Sequence, residues 1–154
     1  THVLPVIQFL KNNDTISFNV LHVISGVDYP EYFEVNYMLS NYDPLNKRDV
    51  IIKTKLSDKQ NPNLESVVSV YRAANFQERE TYDMFGIIFN NHPEPRRILC
   101  PDDWEGFPLR KDYQVQEVYN GMVVNPAHKI NTDDMEFAAR QKAIKKAQTE
   151  QATE

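Results

Sequence analysis

Near the amino terminus the hydrophobic residues Val3, Val6, Ile7 and Leu10 fall at the i, i+3, i+4, i+7 spacing of one helical face, and Pro5 suits a first turn. A short amphipathic helix is expected there. The pattern then alternates. Ile16, Phe18 and Val20 lead into Leu21 to Ile24, turn chemistry follows in Gly26 to Pro30, and Phe33, Val35, Tyr37 and Leu39 alternate again. After the turn-rich interval Asn41 to Asn46, Val50, Ile52, Thr54 and Leu56 share one side while Lys53 and Lys55 point to the other. Three strands separated by short turns predict an antiparallel meander, whose apolar face requires a helical cover.

Residues 64–85 supply it. Leu64, Val67, Val68 and Tyr71 make one face, and Ala73 and Ala74 lead into a second segment from Asn75 to Phe85. Asn75 with Glu78 has the form of a capping box, and Gly86 stands where a helix would stop. Two helical segments with a break near Asn75 are expected. From Ile87 on, Pro93, Pro95, Pro101, Pro108 and Pro126 punctuate a stretch with little periodicity, which reads as extended chain lying on something else. Thr132 then caps an alanine-faced helix with Asp133, Asp134 and Glu136 in its first turn and Lys142, Lys145 and Lys146 later. The expected class is α+β, a small mainly antiparallel sheet covered by helices, with an extended carboxyl-terminal arm and a terminal helix. Its parts would be a core over 1–92, a proline-rich docking arm over 93–131, and a helix or tail over 132–154.

A hydrophobic fraction of 41% over 154 residues suffices for one core of this kind. The net charge of -5 removes the basic footprint that phosphate neutralisation requires, so nucleic acid is not an expected partner. No apolar run approaches the roughly 20 residues of a membrane-crossing helix, so any membrane link is expected to be indirect. Thr1 to Leu10 lacks a basic region followed by a long apolar run, so no secretory signal is visible and an interior compartment is expected. One cysteine, Cys100, can supply neither a disulfide nor the ligands of a cluster or structural zinc. His2, His22, His92 and His128 are scattered without metal-binding spacing.

Charge is densest at Glu78, Arg79, Glu80 and Asp83, with Arg72 nearby. On a helix Phe76, Glu80 and Met84 stack four apart, which places Glu80 along an apolar stripe. One reading makes Glu78 or Glu80 an acid or base working with His92, its pKa raised by burial. The other makes the cluster an ion-pair network, with Arg79, Arg96 and Arg97 as partners, that fixes the helix or meets another protein. Around Trp104, Arg110, Lys111 and Asp112 a large aromatic, mixed charges and proline-restricted backbone suggest a docking arm; a polar surface loop is the alternative.

Glu78-Arg79-Glu80, two residues, Asp83-Met84-Phe85, six residues, His92, three residues, Arg96, one residue and Ile98-Leu99 form an ordered pattern. It resembles the signature of the 30 kDa-type subunit of NADH-quinone oxidoreductase, respiratory complex I. Val27 to Pro30, Arg72 to Phe76, Asp102 to Gly106 and Pro108 to Tyr113 are also similar to that family in its bacterial form. Phe107 stands where the family commonly has His, so a proton-linked role of that position is not expected.

The resemblance implies an α+β subunit with no flavin and no iron-sulfur cluster of its own; FMN, the clusters and the quinone belong to other subunits. It implies packing against the quinone-site large subunit, of 49 kDa type, and neighbouring iron-sulfur subunits, on the cytoplasmic face of a bacterial inner membrane. The implied role is support of electron transfer from NADH to quinone, with no active site in this chain. Two alternatives stand beside it: the homologous subunit of a membrane-bound hydrogenase or of an F420- or ferredoxin-dependent complex, and a small stand-alone acid/base enzyme using Glu80 and His92.

Overall fold

A computed structural model of the chain describes residues 2–43 and 47–124. Residues through Tyr113 form one compact unit and the chain from Gln114 belongs to a second. Helix α1 spans Val3–Asn12 and turns Val3 and Ile7 inward, as the spacing predicts, whereas Val6, expected on the same face, is exposed. Strands β1 (Val20–Asp28), β2 (Phe33–Asn41) and β3 (Arg48–Leu56) pair antiparallel in the order β1-β2-β3. Phe33, Val35, Tyr37 and Leu39 on β2 are fully buried, so the period-2 pattern marks the inner face directly. Ile16 and Phe18 lie ahead of β1, contrary to the expected strand start. An irregularity between Leu21 and Val23 is what breaks the alternation there, bringing both Leu21 and Ile24 inward.

The segment from Leu64 differs from expectation. Asn63–Glu65 is a short strand, β4, which pairs parallel with β5 (Ile88–Asn90), and only turns lie between Ser66 and Ala73. A single helix, α2, runs over Ala74–Phe85. Leu64 and Val67 are buried, but a short apolar run fits a buried strand as well as a helix. The expected capping box is also absent: the cap position is Ala73, with no side-chain cap bond, and the Glu78 side chain turns to Ser66 and Val67 instead. Gly86 does stop the helix, in the left-handed conformation at φ 71.

α1, α2 and the β4/β5 pair enclose one core with the sheet, centred on Ile7, Phe33, Tyr37, Leu39, Leu64 and Ile87. Residues 93–113 are irregular yet belong to this same compact unit. In the second unit β6 (Val118–Tyr119) and β7 (Met122–Val123) form a hairpin through Asn120 and Gly121, both at positive φ, as a two-residue turn demands. The terminal helix expected over 132–154 lies outside the described residues.

A Cβ at Gly86 would sit 2.5 Å from the Phe107 ring, in addition to the cost of the left-handed backbone. Gly86→Ala is therefore expected to destabilise the chain by about 2 kcal/mol or more. Urea unfolding of the two proteins side by side measures it, and an unchanged midpoint contradicts this packing.

Candidate functional site

Helix α2 is unusual in burying charge. Its inward residues include Glu78, Arg79, Thr81 and Asp83, while Glu80 and Phe76 are exposed. The stripe through Phe76, Glu80 and Met84 is therefore on the more exposed side of the helix, and Glu80 is not buried within it. The helix is rotated so that the buried carboxylates are those at 78 and 83, because the irregular segment behind it offers backbone donors and arginines rather than an apolar wall.

Asp83 is fully buried. One of its oxygens, Oδ2, accepts three successive backbone N–H groups, from Ile98 (3.1 Å), Leu99 (2.7 Å) and Cys100 (2.8 Å). The other oxygen takes the Arg97 guanidinium at 2.8 Å. Burial pushes this carboxyl up, but the three N–H groups and Arg97 outweigh it and hold it below the usual carboxylate range. Burial, then the Asp83 charge, raise the Cys100 thiol.

Arg97 also donates to the Gly106 carbonyl at 2.9 Å and lies over the Phe107 ring. Arg110 covers the same ring at 4.9 Å and the Phe33 ring at 5.0 Å, and donates to the Phe85 carbonyl at 2.5 Å. Leu109 N–H donates to the Met84 carbonyl. The carbonyls left open at the end of α2 are thus capped by the chain that returns across it.

Arg79, also buried, donates to the carbonyls of Arg96 (3.1 Å) and Arg97 (3.0 Å) and faces Glu94 at 3.4 Å. Arg96 is exposed and pairs with Glu94. Asp28 fastens the far end of this segment: it accepts the Lys111 N–H at 2.8 Å and pairs with Lys59. Burial raises its pKa, and the Lys111 and Lys59 bonds bring the net below the ordinary value. Trp104 is half-buried, with its backbone N–H on the Pro101 carbonyl; the side chains of Lys111 and Asp112 are exposed.

Glu78 and His92 are brought together. Glu78 is fully buried; it accepts the Ser66 hydroxyl at 2.6 Å and the Val67 N–H at 2.7 Å, and its Oε2 lies 3.8 Å from His92 Nε2. Burial pushes its pKa up to about 7 against the lowering effect of those two donors. His92 Nε2 faces the Asn75 carbonyl at 3.1 Å and Nδ1 takes the Glu94 N–H at 3.0 Å. A carbonyl only accepts and a peptide N–H only donates, so this geometry requires the neutral ring with its proton on Nε2. Tyr37 lies near enough for the Glu78 charge, after burial, to raise its hydroxyl pKa.

A cavity of about 200 Å³, walled by Arg79, Tyr82, Ile88, Phe89 and Pro95, opens onto Glu78 and His92. The acid/base reading expects a pocket at this place. The carboxylate in it is Glu78, however, and both of its oxygens and both His92 nitrogens are engaged by the protein's own groups. Glu80 lies elsewhere, along a groove beside β1. Among the described residues no group of three His, Cys, Asp or Glu side chains is placed to hold a metal ion, and no helix is long and apolar enough to cross a membrane.

Ser66, Val67 and Asp28 were not among the residues singled out by charge and motif. Asp28 sits in the similar Val27 to Pro30 segment but reads there as turn chemistry. Its partner lies 83 residues away, and no local spacing marks that contact.

The arrangement defines a class of site that folds one length of chain onto another and spends its charges doing so. The profile of the family described as respiratory-chain NADH dehydrogenase, 30 Kd subunit, matches residues 1–119. The chain is 46% identical over 118 residues to the C-type subunit of NADH-quinone oxidoreductase from Chlorobium phaeobacteroides, covering 75% of this chain and 70% of that protein. It is 45% identical over 119 residues to the same subunit from Chloroherpeton thalassium, covering 75% of this chain and 48% of that one. In three dimensions it is similar, at TM-score 0.64 and 25% identity, to a chain of the membrane-bound sulfane sulfur reductase, an archaeal respiratory membrane complex, over 73% of this chain and 66% of that one. The protein belongs to the 30 Kd subunit family of respiratory-chain NADH dehydrogenase.

Two outcomes test the site. Asp83→Asn leaves Arg97 without its carboxylate and should cost roughly 3 to 5 kcal/mol, with new proteolytic cleavage between residues 97 and 113; wild-type resistance to protease contradicts the bracing. Glu78 acts in the opposite sense from Asp83. Its folded pKa lies above the unfolded value near 4.5, so its ionised form opposes folding above about pH 7 and that penalty disappears as pH falls toward 4.5. Relative to Glu78→Gln, the wild-type chain should gain on the order of 3 kcal/mol between pH 8 and pH 4.5. Parallel pH profiles of the two proteins in urea contradict it. Asp83 and Asp28, with lowered values, stabilise the fold above the ordinary carboxylate range and lose that contribution as pH falls through their folded pKa values.

Proposed function

We propose that this chain is a peripheral, non-catalytic subunit of an NADH-quinone oxidoreductase complex, and that it serves as a folded support for the quinone-site large subunit. One observation supports this reading above others: Glu78, Arg79, Asp83, Arg97 and Arg110, charges that lie within the segments similar to the family, are bonded inward to backbone of the same chain. Charges used in this way hold the returning segment in place and so build a surface, while the Glu78 and His92 atoms at the cavity are engaged by the protein's own groups. Electrons would pass from NADH through FMN and iron-sulfur clusters of other subunits to quinone, with this chain holding none of them.

The surface so built is the returning segment, with Ile98, Leu99 and Leu109 exposed on it. Exposed apolar residues on a braced, non-helical segment suit an interface with the large subunit or a neighbouring iron-sulfur subunit. Membrane association would then be indirect, on the cytoplasmic face. The similarity to a sulfane sulfur reductase chain favours a second reading, in which the same fold serves a related membrane-bound respiratory complex. The higher identity to the NADH-quinone oxidoreductase proteins supports the first.

Affinity purification of a tagged full chain from its own membranes is expected to bring the large quinone-site subunit with it. Trp104→Ala is expected to lower that recovery by an amount equivalent to about 2 kcal/mol beyond any loss of stability that urea unfolding of the isolated variant shows. Normal assembly with reduced turnover would place chemistry in this chain, and NADH:quinone reduction by the purified chain alone would refute the supporting role.

A further inference from the structure

Among the described residues β1 has one strand neighbour, β2, and no strand lies along its other edge. In an antiparallel pair, the backbone groups of successive residues point alternately toward the partner strand and away from it. Ile24 points away from β2, because its N–H donates to Gln77 Oε1 at 2.6 Å. Gly26, two residues on, turns its N–H and C=O the same way, and neither meets a partner among the described residues.

Helix α2 runs beside this edge. Between them lies a groove of about 240 Å³, with Val23, Gly26, Glu80, Met84 and Leu109 in its walls. Three features fit the groove to extended chain. Gln77 already imitates a neighbouring strand, its side-chain amide accepting from Ile24 N–H and donating to the His22 carbonyl at 3.2 Å. At Gly26 the wall is bare backbone, since a Cβ there would meet the Phe85 ring at 2.7 Å. Glu80 stands exposed on the helical wall, in no ion pair with the described residues.

We propose that this groove takes an extended segment of another polypeptide, which adds as a strand beside Gly26, sets an apolar side chain against Met84 and Leu109, and presents a Lys or Arg to Glu80. Backbone bonds give such strand addition its affinity and the flanking side chains its selectivity. The exposed carboxylate specifies a basic segment over an acidic one. Glu80, which plays no part in bracing the returning chain, is thereby given a role at the surface. The inference does not depend on membership of a particular complex.

The test is selection of a phage-displayed library of random linear peptides against the full chain, with mapping by amide NMR. Selected peptides should carry a basic residue and shift the signals of Ile24, Ser25, Gly26 and Val27. Glu80→Lys, a surface change that leaves the fold intact, should weaken them by about tenfold or more. Methylating alternate backbone nitrogens of the peptide should abolish binding, because a methylated nitrogen cannot join a strand ladder. The proposal fails if no peptide is selected, if the shifts fall elsewhere, if the bound peptide is helical, or if neither change weakens it.

Discussion

A carboxylate at zero exposure, accepting three consecutive backbone N–H groups and one guanidinium, is the interaction from which the irregular end of the compact unit, residues 93–113, hangs. Residues 97–100 have no helix or strand to satisfy their N–H groups, and buried donors without partners are costly. Asp83 supplies what a neighbouring strand would. It fixes a corner in the chain, and from that corner Arg97 reaches Gly106 and the Phe107 ring while Arg110 returns to the end of α2. Asp28 closes the far end at Lys111. An irregular segment of this length keeps one conformation because its polar backbone is satisfied at each end.

The same helix carries two buried carboxylates with opposite proton preferences, and the difference lies in their donors. Asp83 meets three N–H groups and an arginine, which favour the ionised form. Glu78 meets one hydroxyl and one N–H, with a neutral imidazole 3.8 Å away, and this is insufficient against the same burial. The Phe107 ring between two guanidinium groups shows why an apolar aromatic suits that position. A cationic side chain between Arg97 and Arg110 would be repelled, whereas a ring face attracts both.

The sheet was legible in the sequence because the inward face of its central strand alternates cleanly, as at Phe33 to Leu39. Gly86 was legible as a helix stop because few other residues adopt its backbone. Leu64 to Val68 misled because a short buried strand and a helical turn share one apolar signature, and the β4 to β5 pairing that decides between them is long-range. At the site, motif spacing picked out Glu78, Asp83, His92 and Arg96, and charge picked out Arg97, but not which of Glu78 and Glu80 faces inward. That choice depends on donors from Ser66, Val67 and Ile98 to Cys100, which are backbone groups or a common serine and leave no mark in the sequence. The Asp28 contact to Lys111 has the same character.

The central claim is that the charged motif holds the irregular segment to the core within this chain, before any partner binds. Residue-resolved amide hydrogen exchange of the isolated full chain addresses it directly. The account predicts that the Ile98, Leu99 and Cys100 amides exchange as slowly as those of the central strand β2. Exchange of these three at the rate of unstructured peptide, with β2 still protected, would contradict it.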